Sequence, residues 1–255
     1  MTTRHRIAFA ASETKIAQDA MAELVTAYGS VPLEEAEVIV ALGGDGFMLT
    51  TLHATMHLSA PVYGMNRGTV GFLMNDYRAE GLLERLADAE ETAINPLAMQ
   101  AVTVDGQVHT ALAINEVSML RAGPQAAKLQ ISVDGRVRLD ELVCDGALVS
   151  TPAGSTAYNY SAHGPILPIG ADALALTAVA AFRPRRWRGA VLPKSAVVRL
   201  DVVNPAKRPV NADADSRQVD NVASVEIRSE PSVVHRLLFD PGHGLEERLI
   251  REQFT

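Results

Sequence analysis

The sequence predicts two parts: an α/β first part built on a parallel sheet, and a mostly β second part. Three observations lead there. Strand-like and helix-like runs alternate through the first third, the signature of parallel strands with crossover helices. The run EVIVAL at 37–42 is almost continuously apolar, as expected of a strand covered on both faces. After Asn95-Pro96 short β-type runs dominate, two pairs of them joined through Val-Asp-Gly turns.

In chain order, Arg6–Ala11 reads as a strand and Ser12 as the cap of the following helix. Ile16, Ala20, Leu24 and Ala27 recur at helical spacing, and Gly29 is placed to end that helix. The 37–42 strand runs into Gly43-Gly44-Asp45-Gly46, after which Met48, Leu49, Leu52 and Met56 restore a helical period. Pro61–Met65 is a strand leading to a loop at Asn66–Thr69, and a helix is expected over Ala79–Ala89 with Leu82, Leu83 and Leu86 inward. Further strands are expected at Gln100–Val104, Val108–Leu120, Lys128–Val133, Val137–Leu142, Ala196–Val203, Val222–Arg228 and Val233–Phe239. One helix is expected near Asp172–Phe182. Each Asp-Gly turn implies a hairpin whose two turn residues take positive φ. The expected organisation is an α/β domain over 1–95, a β-rich domain over 96–240, and a C-terminal tail over 241–255.

The 255 residues are 47% hydrophobic and 21% charged, which fits a globular chain. A net charge of −7 argues against a basic nucleic-acid-binding face. It also leaves any anionic ligand to be held by local devices: backbone N–H groups, a helix terminus or a metal ion. No apolar run reaches the ~20 residues of a membrane span. The opening MTTRHRIAFAAS is too short in its apolar part for a secretory signal. A single cysteine, Cys144, rules out a disulfide within the chain and suits a reducing compartment. A cytoplasmic location is expected.

Three segments carry chemistry. Gly43-Gly44-Asp45-Gly46 stands where a buried strand turns into a helix, the sheet edge at which open α/β folds bind ligands. Its glycines admit phosphate oxygens to the backbone N–H groups. Asp45 sits where a helix favours negative charge, as a proton acceptor for an attacking hydroxyl or simply as a helix cap. Asn115-Glu116 is either a strand end with exposed polar residues or a polar pair within an apolar strand, costly to bury without partners. Glu116 can accept from two hydroxyls and Asn115 can donate and accept. The third segment runs from Asp145 to Ser161 (DGALVSTPAGSTAYNYS): a strand, a loop of small residues, then Tyr158 and Tyr160, whose rings can lie against a base. There is no G-x-G-x-x-G after a strand, no G-x-x-x-x-G-K-[ST] and no protein-kinase motif set.

Taken in order, these segments resemble the NAD kinase family, which shows a GGDG motif, a central Asn-Glu and a D-G-…-S-T-P-x-G-S-T-A-Y loop. The stretches Tyr63–Leu73 and Gly164–Pro168 resemble the family's connecting segments. The likeness is good over about residues 36–170. It implies a Rossmann-like α/β N-terminal domain, a β-sandwich-like C-terminal domain, and NAD bound in a cleft between them. It also implies transfer of a phosphoryl group from ATP, or from polyphosphate, to the 2′-hydroxyl of the adenosine ribose. By the same resemblance Asp45 is the proton acceptor. Gly46, Asn115, Glu116, Asp145, Ala153, Thr156, Ala157, Tyr158, Asn159, Tyr160 and Ser161 contact NAD or the transferred phosphate. A divalent ion, Mg²⁺, accompanies ATP, and the assembly is a homodimer or homotetramer. Ala153 stands where many members carry a hydroxyl, and His163-Gly164-Pro165 replaces the family's Gly-Gly-Pro.

Other features read more plainly. His53 and His57 are four apart but Ala54 occupies the place of the zinc-protease glutamate, so no metal ligand set is expected. Cys144 reads as an inert buried thiol. Arg183, Arg185, Arg186 and Arg188 around Trp187 read as a surface loop or subunit contact, and Asp213 and Asp215 as a solvated turn. Two alternatives stay open on the residues: a lipid kinase of the diacylglycerol or sphingosine type, and a non-catalytic nucleotide sensor.

Overall fold

The computed structural model describes residues 6–68, 71–252 and 254. Residues 1–5, Thr69 and Val70 of the 63–73 stretch, and residues 253 and 255 of the tail lie outside the described residues. The chain divides into two compact units, residues 1–94 with 233–255, and residues 95–232.

The first unit opens with β1 (Ile7–Ala11), α1 (Lys15–Tyr28), β2 (Val38–Gly43), α2 (Asp45–Ala54), β3 (Val62–Asn66), α3 (Leu82–Asp88) and β4 (Glu90–Ile94). Thr14, not Ser12, is the N-cap of α1, and it makes no side-chain cap bond. The Ser12 hydroxyl instead lies 3.1 Å from that of Thr14. The buried face of α1 is Ala17, Ala20 and Leu24, while Ile16 is 51% exposed. The apolar stripe is therefore rotated from the expected one, because small alanines, not the larger isoleucine, meet the sheet. Gly29 ends the helix, its N–H bonding to the carbonyl of Val25. Every residue of β2 is buried, the expectation for a strand covered on both sides.

The second unit contains β5 (Leu97–Thr103), β6 (Val108–Ala113), β7 (Glu116–Arg121), β8 (Ala127–Val133), β9 (Arg136–Cys144), β10 (Gly146–Ser150), the helical turn α4 (Tyr158–Ser161), β11 (Ala173–Val179), β12 (Gly189–Pro193), β13 (Val198–Val202), β14 (Val210–Ala214), β15 (Arg217–Val219) and β16 (Val222–Ser229). They form two six-stranded sheets, ordered β12-β11-β10-β7-β14-β15 and β6-β5-β16-β13-β8-β9. Leu97, Met99, Leu129, Ile131, Val198 and Leu200 of one sheet share a single core with Val117, Met119, Val149, Leu174 and Leu176 of the other, so the unit is a β-sandwich.

Three expectations are corrected here. Residues 173–179 are a strand, not a helix. ALALTAV has helix-forming residues, but antiparallel ladders to β10 over 175–179 and to β12 over 173–177 hold it in the sheet. The long run Val108–Leu120 is two strands in different sheets, broken at Ile114-Asn115. Of the two Asp-Gly turns only the second has both residues at positive φ, Asp134 at 51° and Gly135 at 72°; in the first only Gly106 does.

The chain then adds β17 (His235–Phe239) and α5 (Leu245–Glu252). The sequence groups the 233–239 strand with the β-rich half, but it inserts into the first unit's sheet, whose order is β1-β2-β3-β17-β4. It runs parallel to β3 and antiparallel to β4. Leu237 and Phe239 are fully buried there, and this burial is what draws the segment back.

Candidate active site

In the first unit Gly43 closes β2, Gly44 is the N-cap of α2 and Asp45 is its first residue. The Asp45 carboxylate accepts two backbone hydrogen bonds, from Phe72 N at 2.7 Å and Leu73 N at 2.8 Å. Partial burial pushes its pKa above the usual carboxylate value, opposed by those two amides and by the positive charge of Arg248. A carboxylate of raised basicity at the mouth of a helix can take a proton from a hydroxyl. Gly46 is exposed. The loop supplying the two amides is held on its far side by Asn75. The Asn75 amide nitrogen donates to the carbonyls of Gly64 and Leu238, both at 3.0 Å, and its side-chain oxygen accepts from Asp240 N at 2.9 Å.

In the second unit the break between β6 and β7 places Asn115 and Glu116 at the end of the β7 ladder, where Glu116 pairs with Ser150. The loop after β10 is built on Asn115. Its carbonyl accepts from Thr151 N at 2.9 Å, and the Thr151 hydroxyl bonds to the carbonyl of Ile114 at 2.7 Å. A Cβ on Gly154 would stand 2.2 Å from the Asn115 carbonyl oxygen, so only glycine allows this approach. The Ser155 hydroxyl accepts from Leu167 N at 3.0 Å. Asn159 is fully buried and both its amide hydrogens are used, towards the carbonyls of Ser155 and Pro165.

Glu116 is the electrostatic outlier. One of its carboxylate oxygens is buried without a hydrogen-bond partner. Burial, then repulsion from Asp215 and Asp213, pushes its carboxyl up to about 8. The neighbouring Tyr158 phenol is also raised, first by burial and then by Glu116. Asp145 lies at the end of β9 beside β10, with Arg121 Nε 2.6 Å from its carboxylate. Tyr160 is 45% exposed, and Ser161 is exposed. Thr156, Ala157 and Tyr158 are half-buried, while Ala153 is buried.

Comparison with known proteins fits this geometry. The ATP-NAD kinase N-terminal domain matches residues 2–91, and the ATP-NAD kinase C-terminal domain matches residues 114–232. An NAD kinase of Cereibacter sphaeroides is 72% identical over 99% of this chain and 100% of its own length. The chain belongs to the NAD kinase family. That family comprises phosphotransferases acting on ATP and NAD. An NAD kinase of Hyphomonas neptunium is 59% identical over 98% of both chains. Among solved structures, a yeast NADH kinase complexed with NADH aligns with a TM-score of 0.83 at 20% identity, over 98% of this chain and 87% of that one. An Archaeoglobus fulgidus NAD kinase in complex with ATP aligns with a TM-score of 0.74 at 24% identity, over 98% of this chain and 97% of that one. These two share the fold.

Within this NAD kinase fold the structure gathers the expected residues into two groups, Asp45 and Gly46 in the first unit and the remainder in the second. The turn at Asp213 and Asp215 is not the plain solvated turn expected. The Asp215 carboxylate accepts from the amides of Ile114 and Asn115, because those two amides, freed by the break between strands, need acceptors. The sequence also gives no sign of Phe72, Leu73 or Arg248 beside Asp45, since two of them act through the backbone. Cys144 is buried in the sandwich core, its thiol pushed up to about 12 by burial. Trp187 packs on that core while Arg183, Arg185, Arg186 and Arg188 are exposed. Among the described residues no group of three or more His, Cys, Asp or Glu stands together as a metal-ligand set. Among them, too, no helix is long and apolar enough to cross a membrane.

Proposed function

We infer that the chain transfers the γ-phosphoryl group of ATP to the 2′-hydroxyl of the adenosine ribose of NAD, yielding NADP and ADP, with Asp45 as the proton acceptor. The supporting observation is a carboxylate of raised basicity, fixed by two amides at the strand-to-helix turn, in a chain of this family. As the O2′–phosphorus bond forms and the bond to ADP breaks, the hydroxyl proton passes to Asp45. The protein's main tasks in such a transfer are to hold the groups in line and to balance spread negative charge. The backbone N–H groups at the start of α2 serve the second task. Mg²⁺, carried by the phosphate oxygens of ATP, would supply further charge neutralisation.

Asn115, Glu116, Asp145 and the 156–161 segment are the residues we assign to NAD binding. Ala153 lies in the same loop; it and Asn159 are buried, so within this set these two contribute by holding the loop in shape while the other side chains face the ligand. A homodimer or homotetramer and a cytoplasmic location complete the reading, and sedimentation of the purified protein gives the subunit number.

The test is to incubate the protein with ATP, Mg²⁺ and NAD and to measure NADP with an NADP-specific dehydrogenase. NADP should accumulate. Phosphorylation of a diacylglycerol instead, or NAD binding without turnover, would replace this reading with a lipid kinase or a nucleotide sensor. Asp45→Asn should lower kcat roughly 10²-fold or more with NAD binding retained; near-normal turnover would remove Asp45 as base.

A further inference from the structure

Arg248, on α5, reaches back to the loop that holds Asp45. Its Nη1 donates to the carbonyls of Gly71 at 2.9 Å and Phe72 at 3.2 Å, and also to that of Met74. Nε donates to the carbonyl of His243 at 2.8 Å, and the guanidinium lies 5.4 Å from the centre of the Phe239 ring. The Gly71 carbonyl and the Phe72 N–H belong to one planar peptide group, and the Phe72 carbonyl and the Leu73 N–H to the next. Those are the two N–H groups that the Asp45 carboxylate accepts. Arg248 therefore holds the oxygen ends of the same two peptides whose nitrogen ends hold Asp45. A cation at one end of a peptide dipole strengthens the donor at the other.

We propose that Arg248 is a positioning residue for the Asp45 carboxylate, acting through the 71–72 and 72–73 peptide groups. The proposal rests on Asp45 being the proton acceptor. Arg248 lines a polar cavity of about 200 Å³ with Asp76, Arg78, Asp240, His243 and Glu247. Of these, Asp240 is neutralised by Arg85 at 2.6 Å and accepts the Tyr63 hydroxyl at 2.6 Å. Arg248 is the side chain whose charge opposes the rise in Asp45 basicity. Its loss should raise that basicity further while leaving the carboxylate less well placed.

The experiment measures kcat, KM for NAD and the pH dependence of kcat for the full-length wild type, Arg248→Met, Arg248→Lys and Asp45→Asn, with folding checked by circular dichroism. Arg248→Met should lower kcat roughly 10- to 100-fold, the scale expected for a misplaced reacting group. KM for NAD should stay within about twofold. The acid limb of the kcat profile should move to higher pH. Arg248→Lys keeps the charge and loses the fork, so its acid limb should stay near the wild-type position while kcat recovers only in part. If Arg248→Met and Arg248→Lys both show wild-type kcat and an unmoved acid limb while Asp45→Asn is impaired, the role of Arg248 is overturned and that of Asp45 stands. If Asp45→Asn turns over normally, both fall. Should Arg248→Met fail to fold, Arg248→Lys decides alone: a wild-type kcat overturns the proposal.

Discussion

Asp45 and Glu116 are both carboxyls made more basic by burial, but their surroundings set them apart. Asp45 has an amide on each oxygen and a cation nearby. Glu116 has two carboxylates nearby and one bare oxygen. Because the folded-state value of Glu116, about 8, lies above its ordinary 4.5, the folded protein binds that proton more tightly than the unfolded chain does. Its contribution to stability is present below pH 4.5 and is lost as pH rises through about 8. In ligand-free protein, Glu116→Gln should therefore melt at a progressively higher temperature relative to wild type as pH is raised from 5 to 9. Parallel melting curves across that range would refute this. A further residue-scale contrast concerns two glycines. A methyl group at Gly46 meets nothing within 4 Å, whereas at Gly154 it would collide with the Asn115 carbonyl. Gly46→Ala, inside α2, should thus leave the melting temperature unchanged or slightly raised and lower activity, reporting ligand approach. Gly154→Ala should destabilise the fold by about 1–3 kcal/mol, read by chemical denaturation. The sequence singles out Asp45 because it stands in a glycine turn between a buried strand and a helix, and Glu116 because a charged residue interrupting an apolar run stands out. It conceals Phe72 and Leu73 because their contribution is a backbone N–H, which any residue except proline carries.

Among the elements, those whose signals are local are the ones legible in the sequence. The β2–turn–α2 unit is read within a residue or so because a β-branched run, two glycines and a helical period follow one another directly. Strand β11 is misread because its residues favour helix and only its neighbours β10 and β12, far along the chain, make it a strand. The break at Ile114-Asn115 escapes because the apolar run continues across it. What ends β6 and starts β7 is a change of sheet, secured by Asp215 accepting from the two amides that the break takes out of the ladders. Replacing that carboxylate should expose its structural weight. Asp215→Ala leaves the Ile114 and Asn115 amides without their acceptor, and a loss of about 1–3 kcal/mol is expected. Denaturation of the variant against wild type measures it, and an unchanged midpoint would show that water substitutes freely.

For the whole molecule, the two-part plan is visible in the sequence, since alternation of strand and helix gives way to hairpins near residue 95. What composition cannot show is that the last strand leaves the β-rich part. Its partners β3 and β4 are fixed by tertiary packing, not by any neighbouring pattern. Removal of residues 233–255 should leave the sandwich of 95–232 folded but take away the strand that joins β3 to β4. The expected result is a truncated protein in which proteases cut the first ninety or so residues quickly and spare the remainder. Equal resistance of both parts would contradict it. The position of β17 also carries a consequence for synthesis. A ribosome making this polypeptide releases β1 to β4 early, with a vacancy in their sheet that residues 235–239 later fill. The middle of the chain is thus able to mature before its beginning, and the nascent first unit must wait, with an open hydrophobic seam, until translation has passed Phe239.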